Sequence, residues 1–277
     1  MLAYLNFRAI PGVEIIDGHQ YRRSFVWGRT RGCLSVTPGP ISKSLQVKVV
    51  CQTPTHFKSI TRRVGNIFDL NAPVKAIRRR LGKDPLLAGI LEHSPLPRVP
   101  GTWDGFELAI RAIIGQQVSV KGATTVAGRL VQKFGQRLPS ALADNEAGLT
   151  HLFPSPKALA HAAATKMSMP LARAMTIQGL AQAVLDNKLA IDPAADPDRT
   201  VQKLKKIKGI GDWTAQYIAM RALRQPDAFP AADLGLIKAA SGNGPRLTPV
   251  QLKARAEAWR PFRAYAAVLL WTGTGDT

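Results

Sequence analysis

The chain has almost no cysteine. Two residues, Cys33 and Cys51, in a chain of 277 exclude a four-cysteine iron–sulfur cluster and a structural zinc site of that kind. Both fall in strand-like runs and read as small apolar side chains in a reducing compartment. Histidine is sparse too: His19, His56, His93, His151 and His161 are scattered, and none has metal-ligand spacing. No apolar run reaches about 18 residues, so no spanning helix is expected. The N-terminus, MLAYLNFRAIPGVE, lacks the basic start and long apolar stretch of a signal peptide. These features predict an intracellular, cytoplasmic protein without membrane association. Acidic residues are outnumbered, 18 Asp+Glu against 38 Lys+Arg, for a net charge of +20. Such a balance fits a polyanionic partner. The basic residues are spread along the chain, so a disordered electrostatic arm is not expected. No P-loop, Ser-His-Asp arrangement, zinc motif or internal repeat is found.

The hydrophobic content, 45%, is ample for a buried core, and the length suggests one to three domains. Up to about Leu70 the chain is mixed. Strands are predicted at Tyr21–Trp27, Gly32–Thr37 and Leu45–Val50, where SLQVKVV alternates apolar and polar side chains. A helix follows over Thr55–Leu70. From Ala72 onward helical patterns dominate. Asp104 and Glu107 resemble a capping box, Gly115-Gln116-Gln117 breaks that helix, and Ser119 caps a helix running to Gly135. Further helices are predicted at Ser155–Thr165, Leu171–Asn187, Thr200–Ile207, Trp213–Leu223, Leu234–Ala240, Thr248–Trp259 and Phe262–Thr272.

The most informative stretch is LKKIKGIGDWTAQYI, residues 204–218. It reads as a helix end, a tight Gly-Ile-Gly turn and a new helix start. Gly209 and Gly211 are expected to allow positive φ and to bring backbone N–H groups close to another molecule. The helix N-terminus adds the positive end of a dipole, and together they make a phosphate site. Lys203, Lys205, Lys206 and Lys208 crowd the approach. An ordinary helix–turn–helix corner is the blander alternative, and the lysine cluster argues against it.

Asp233 follows in the loop FPAAD, just before LGLIKAA. Considered alone, it reads as a helix N-cap worth about 1 kcal/mol. A rigid apolar loop, few neighbouring carboxylates and a helix dipole that suits an anion shift the reading toward chemistry. Asp212 faces phosphate, Asp227 is expected to be exposed, and Glu257 reads as a surface ion-pair partner of Arg255 and Arg260. Trp213 and Tyr217, four apart, share one helix face. Aromatics at helical spacing are usually core, yet a pocket that stacks a planar base needs the same residues. Trp213, Tyr217 and Trp271 are assigned to a pocket wall and Trp259 to the core.

The segments FDLNAP, PLPRVPGTWDGFELAIRAIIGQQVS, MSMPLARAMTI, KGIGDWTAQYIAMRA, DAFPAADLGL and AWRPFRAYAAVLLW carry a resemblance over nearly the whole chain. It resembles the helix-hairpin-helix DNA glycosylases, and among them the bacterial 3-methyladenine DNA glycosylase II family. The resemblance implies an α+β fold, mainly α-helical, with a small N-terminal antiparallel sheet. It implies a sheet domain over residues 1–71, a helical domain with the hairpin over 72–230, and C-terminal helices over 231–277. Those helices pack with segment 72–100 to close the active-site cleft. A first strand common in the family has no counterpart here, which implies a sheet one strand short or a shortened chain. Asp233 matches the family's essential aspartate. Trp213, Trp271 and Tyr4 match base-pocket positions, and Gln117 matches the residue that fills the gap left by the flipped nucleotide. Lys208, Gly209, Ile210, Gly211 and Thr214 match the DNA-gripping hairpin. Backbone carbonyls of Lys205, Ile207 and Ile210 match those that hold a monovalent cation, Na+ or K+, bridging to phosphate. No cofactor is otherwise required. Some members carry an aromatic directly after the aspartate, whereas here Leu234-Gly235 follows, which implies a roomier pocket.

The implied activity is excision of alkylated, cationic purines such as N3-methyladenine and N7-methylguanine from double-stranded DNA by a monomeric, nucleoid-associated enzyme. In the strand-nicking subclass a lysine lies two residues after the second hairpin glycine. Trp213 stands there, which implies monofunctional hydrolysis. Water either is activated by Asp233 or adds after dissociation. A non-catalytic DNA-binding protein would explain the charge but not the carboxylate flanked by aromatics. An aromatic-rich, polar-poor pocket disfavours uncharged lesions such as uracil or oxidised guanine.

Overall fold

The computed structural model describes residues 1–41, 44–51, 57–94, 98–139, 141–142, 148–242 and 244–273. In chain order the elements are α1 (Leu2–Phe7), β1 (Glu14–Asp17), β2 (Gln20–Trp27), β3 (Thr30–Pro38), β4 (Leu45–Cys51), α2 (Phe57–Ile67), α3 (Val74–Leu81), α4 (Pro85–His93), α5 (Gly105–Ile114) and α6 (Val120–Phe134). They continue with α7 (Pro156–Ala160), α8 (Leu171–Leu185), α9 (Pro197–Lys205), α10 (Asp212–Arg221), α11 (Leu234–Ser241), α12 (Pro249–Ala256) and α13 (Arg263–Gly273). This is the expected fold class, mainly helical with a small N-terminal antiparallel sheet. The chain divides into two units, one of residues 64–108 with 190–277, the other of residues 2–63 with 109–189.

In the second unit the four strands lie in sequence order, all antiparallel, with Tyr21 opposite Val36 and Val36 opposite Val47. β2 turns Tyr21, Arg23 and Phe25 inward. Two elements go beyond the sequence expectation, the short helix α1 and strand β1. The expected helix start at Thr55 and His56 lies outside the described residues. Glu14 of β1 is buried and accepts bonds from the Tyr21 hydroxyl (2.8 Å), Arg111 Nη2 (2.8 Å) and the Ile10 amide (3.2 Å), with Arg23 at 3.5 Å. Burial alone would raise its pKa, but the Arg111 and Arg23 charges outweigh it and hold the group down at about 2. Cys33 is buried and donates to the Leu142 carbonyl (3.2 Å); Cys51 is half-buried, and neither is in a disulfide.

The first unit is a helical bundle. Its core gathers Ile77 and Leu81 of α3, Leu87 and Leu91 of α4, Met220 of α10, Leu236 of α11, Leu252 of α12 and Ala264–Leu270 of α13 around Trp259. Helices α3 and α4 are additions to the expected set. α4 begins at an Asp84 N-cap that accepts the Leu86 and Leu87 amides. At the head of α5 Gly105 passes so close to the Ile191 carbonyl that a Cβ would sit 1.9 Å from its oxygen.

Candidate active site

The Asp233 amide donates to the Pro230 carbonyl (2.9 Å), which closes the FPAAD turn and leaves Asp233 extended at the head of α11. Its Oδ1 then accepts the Leu236 amide at 2.9 Å, the N-cap bond that the sequence predicts. Capping is only part of its role. Trp213 Nε1 of α10 donates to Oδ2 at 2.8 Å, and Trp271 Nε1 of α13 donates to Oδ1 at 2.9 Å. A carboxylate offers about four lone-pair positions, so three N–H donors hold this one in place and leave acceptor capacity on Oδ2. Among the described residues no cation pairs with Asp233, although the chain carries a net +20.

Aromatic rings surround the carboxylate. Trp213 and Tyr217 stack with centroids 5.4 Å apart and planes 11° apart, and Trp271 tilts against Tyr217 at 6.4 Å. All three are half-buried. Trp259 is fully buried, as expected of a core residue, and donates to Asp84 Oδ2 at 2.9 Å.

Arg221 is a residue that the sequence reading missed. It is buried in the last turn of α10 and donates from Nη1 to the Tyr217 hydroxyl (2.7 Å), from Nε to the Pro100 carbonyl (2.8 Å) and from Nη2 to the Gly101 carbonyl (3.1 Å). Its guanidinium carbon lies 5.5 Å from the Tyr217 ring centroid. A lone arginine inside the apolar run IAMRAL, four residues after a tyrosine, is the signal that could have found it. Asp227 is half-buried rather than exposed, because Arg260 and Arg263 both pair with it. Glu257 pairs with Arg260 and Arg263, while Arg255 turns instead to the Ala240 carbonyl and Asp84.

The hairpin corrects one expectation. Gly209 does adopt positive φ, +92°. Gly211 does not: its φ is −88°, it is the N-cap of α10, and a Cβ there would meet nothing within 4 Å. No side-chain hydrogen bond caps α10. Lys205, Lys206 and Lys208 are exposed around the turn, and Lys205 pairs with Asp212 at 3.0 Å. Thr214 and Ile210 are buried, so any contact they make with DNA would come from their backbone.

The carbonyls of Lys205, Ile207 and Ile210 bracket the turn, where the Ile210 amide donates to the Ile207 carbonyl at 3.0 Å. Backbone oxygens are neutral, hard donors, the ligand chemistry that an alkali cation takes. Among the described residues no group of three His, Cys, Asp or Glu could hold a metal, and no helix is long and apolar enough to cross a membrane.

Tyr4 and Gln117 belong to the other unit. Tyr4 is buried in α1 with the Arg8 guanidinium 3.9 Å from its ring centroid. Gln117 is exposed at φ +55°, beyond the end of α5, and Arg173 Nη2 holds the preceding Gln116 carbonyl at 2.7 Å.

Residues 1–104 match the family described as AlkA N-terminal domain, and residues 110–263 match the HhH-GPD superfamily base excision DNA repair protein. The chain is 38% identical over 274 residues to the probable bifunctional transcriptional activator/DNA repair enzyme AlkA of Mycobacterium tuberculosis, covering 98% of this chain. It spans only 54% of that relative's length. It is 32% identical over 281 residues to DNA-3-methyladenine glycosylase 2 of Escherichia coli, covering 99% of this chain and 93% of that one. The solved structure of a 3-methyladenine DNA-glycosylase from Archaeoglobus fulgidus shares the fold, with a TM-score of 0.82 at 22% identity over 98% of this chain and 92% of that one.

Proposed function

The chain belongs to the HhH-GPD superfamily of base excision DNA repair proteins, and from that premise we propose that it is a monofunctional DNA glycosylase. It excises alkylated, cationic purines such as N3-methyladenine and N7-methylguanine from double-stranded DNA. The observation that carries the proposal is Asp233, a carboxylate without a counter-cation among the described residues, held by two indole N–H groups beside stacked aromatic rings. The names of the relatives at 38% and 32% identity support it.

The N-terminus of α10 and the turn at Gly209–Gly211 grip a backbone phosphate, with Lys206 and Lys208 adding charge. Carbonyls of Lys205, Ile207 and Ile210 would hold a monovalent cation, which supplies positive charge beside that phosphate. Gln117 enters the gap left by the extruded nucleotide. The extruded base stacks on the rings of Trp213, Tyr217 and Trp271, where a cationic base gains about 2 kcal/mol or more once desolvated. Arg221 fixes the Tyr217 ring. The C1′–N bond then breaks, its electron pair leaving with the base, which departs neutral. Asp233 stabilises the oxocarbenium-like sugar. A water oxygen bonds C1′ and its proton passes to solvent, leaving an abasic site on an intact strand. No amine takes part, because Trp213 occupies the position where strand-nicking members carry lysine. The enzyme works as a monomer in the cytoplasm, on nucleoid DNA.

Release of free base from methylated duplex, followed by chromatography for the wild type and Asp233→Asn, tests the proposal. Identified N3-methyladenine and N7-methylguanine from the wild type alone support it. No release from the wild type, or equal release from both proteins, overturns it.

A further inference from the structure

Gly235 is the second residue of α11, and nothing in its backbone calls for glycine. Its φ is not among the positive ones, and alanine is the better helix former. What distinguishes the position is its surroundings. A Cβ built on Gly235 would lie 3.1 Å from Asp233 Oδ1, 3.5 Å from Trp271 Cδ1 and 3.6 Å from Trp271 Nε1. The two indole distances are ordinary contacts, whereas the distance to the carboxylate oxygen is too short for a comfortable one.

Oδ1 has little freedom to retreat. It accepts the Leu236 amide from the same helical turn and the Trp271 indole from α13. A methyl group at position 235 therefore presses on the seam where those two bonds meet. A carboxylate that yields by rotating also carries Oδ2 away from Trp213 Nε1, 2.8 Å from it now. We infer that Gly235 is a positioning residue: its missing side chain leaves room for the Trp271–Asp233 bond and so sets the direction in which Oδ2 points. This rests on the glycosylase reading, in which Asp233 faces the reacting sugar.

Gly235→Ala tests it, in the wild-type background and in Trp271→Phe. Three quantities are measured: thermal unfolding, affinity for undamaged duplex, and the single-turnover rate of base release from methylated duplex. The expected result is an unchanged or raised Tm, an unchanged affinity and a rate about tenfold lower, because small misplacements of a reacting group are costly. In Trp271→Phe the indole N–H is gone and the smaller ring gives way, so Gly235→Ala should cost less than about twofold there. A wild-type rate for Gly235→Ala, an equal loss in both backgrounds, or a loss explained by a lowered Tm overturns the inference alone. A wild-type protein that releases no base overturns the glycosylase reading itself.

Discussion

Asp84 and Asp233 stand at the same place in their helices, each an N-cap whose carboxylate accepts an indole N–H, from Trp259 in one case and from Trp213 and Trp271 in the other. They differ in charge environment. Asp84 faces Arg255 at 3.5 Å. Burial pushes its pKa up, and the Trp259 bond, the Leu87 amide and the Arg255 charge outweigh burial, so it ends below the ordinary value. Asp233 has no such cation among the described residues, and two rings stack beside it. One aspartate is a structural cap; the other is a cap with an unneutralised charge.

Asp233→Asn should lower base release by about 10²–10³-fold while leaving folding intact and DNA affinity unchanged or tighter. Asp84→Asn should do the reverse, losing about 1–3 kcal/mol of stability with little change in rate per folded molecule. Single-turnover release alongside denaturant unfolding separates the two. Near-wild-type excision by Asp233→Asn would remove it from the chemistry.

Gly209→Ala and Gly211→Ala should part company. The first forces a side chain to φ +92° and should cost about 1–2 kcal/mol of folding stability. The second has open space around it, so it should leave Tm unchanged. Both should weaken binding to all sequences alike if the hairpin meets backbone rather than bases, as proposed. Wild-type affinity should fall steeply with salt. Fluorescence anisotropy on several duplexes at several salt concentrations gives the answer, and a sequence-selective loss or a flat salt response contradicts it.

Arg221→Met should destabilise the fold by about 1–3 kcal/mol, because it removes the bonds that Arg221 makes to the Tyr217 hydroxyl and two carbonyls. Tyr217→Phe removes one of those bonds and should be milder. In a double-mutant cycle on base release the two should be non-additive. Strict additivity would show that Arg221 does not act through Tyr217.

Glu14 should make stability depend on acid. Its folded pKa is about 2 against 4.5 ordinarily, so its contribution is complete above about pH 4.5 and drains away as pH falls toward about 2. Glu14→Gln should lower stability at pH 7 and flatten the profile in that window. A variant with an unchanged acid slope would refute this.

Base release should persist in chelator, and borohydride should trap no protein on DNA, because Trp213 stands where an attacking amine would be needed. A borohydride-stable adduct would point to a lysine elsewhere.

The sequence made the candidate site legible because its cues are local: Gly-Ile-Gly between two amphipathic runs, rings four apart at Trp213 and Tyr217, and an aspartate ahead of LGLIKAA. The convergence of Trp213 and Trp271 on one carboxylate joins residues 20 and 38 positions from Asp233, and no local pattern encodes that. α1 and β1 were missed because six and four residues are too few to establish a period. Gly209 and Gly211 look alike in the sequence, yet only Gly209 needs its backbone freedom.

Asp233 caps α11 through a bond that asparagine can also make, so Asp233→Asn spares the helix cap while it removes the charge and the acceptor that faces Trp213. If the proposed function holds, the fold at the head of α11 and the chemistry beside it are separable at this one side chain, because one oxygen serves the helix and the other faces outward from it.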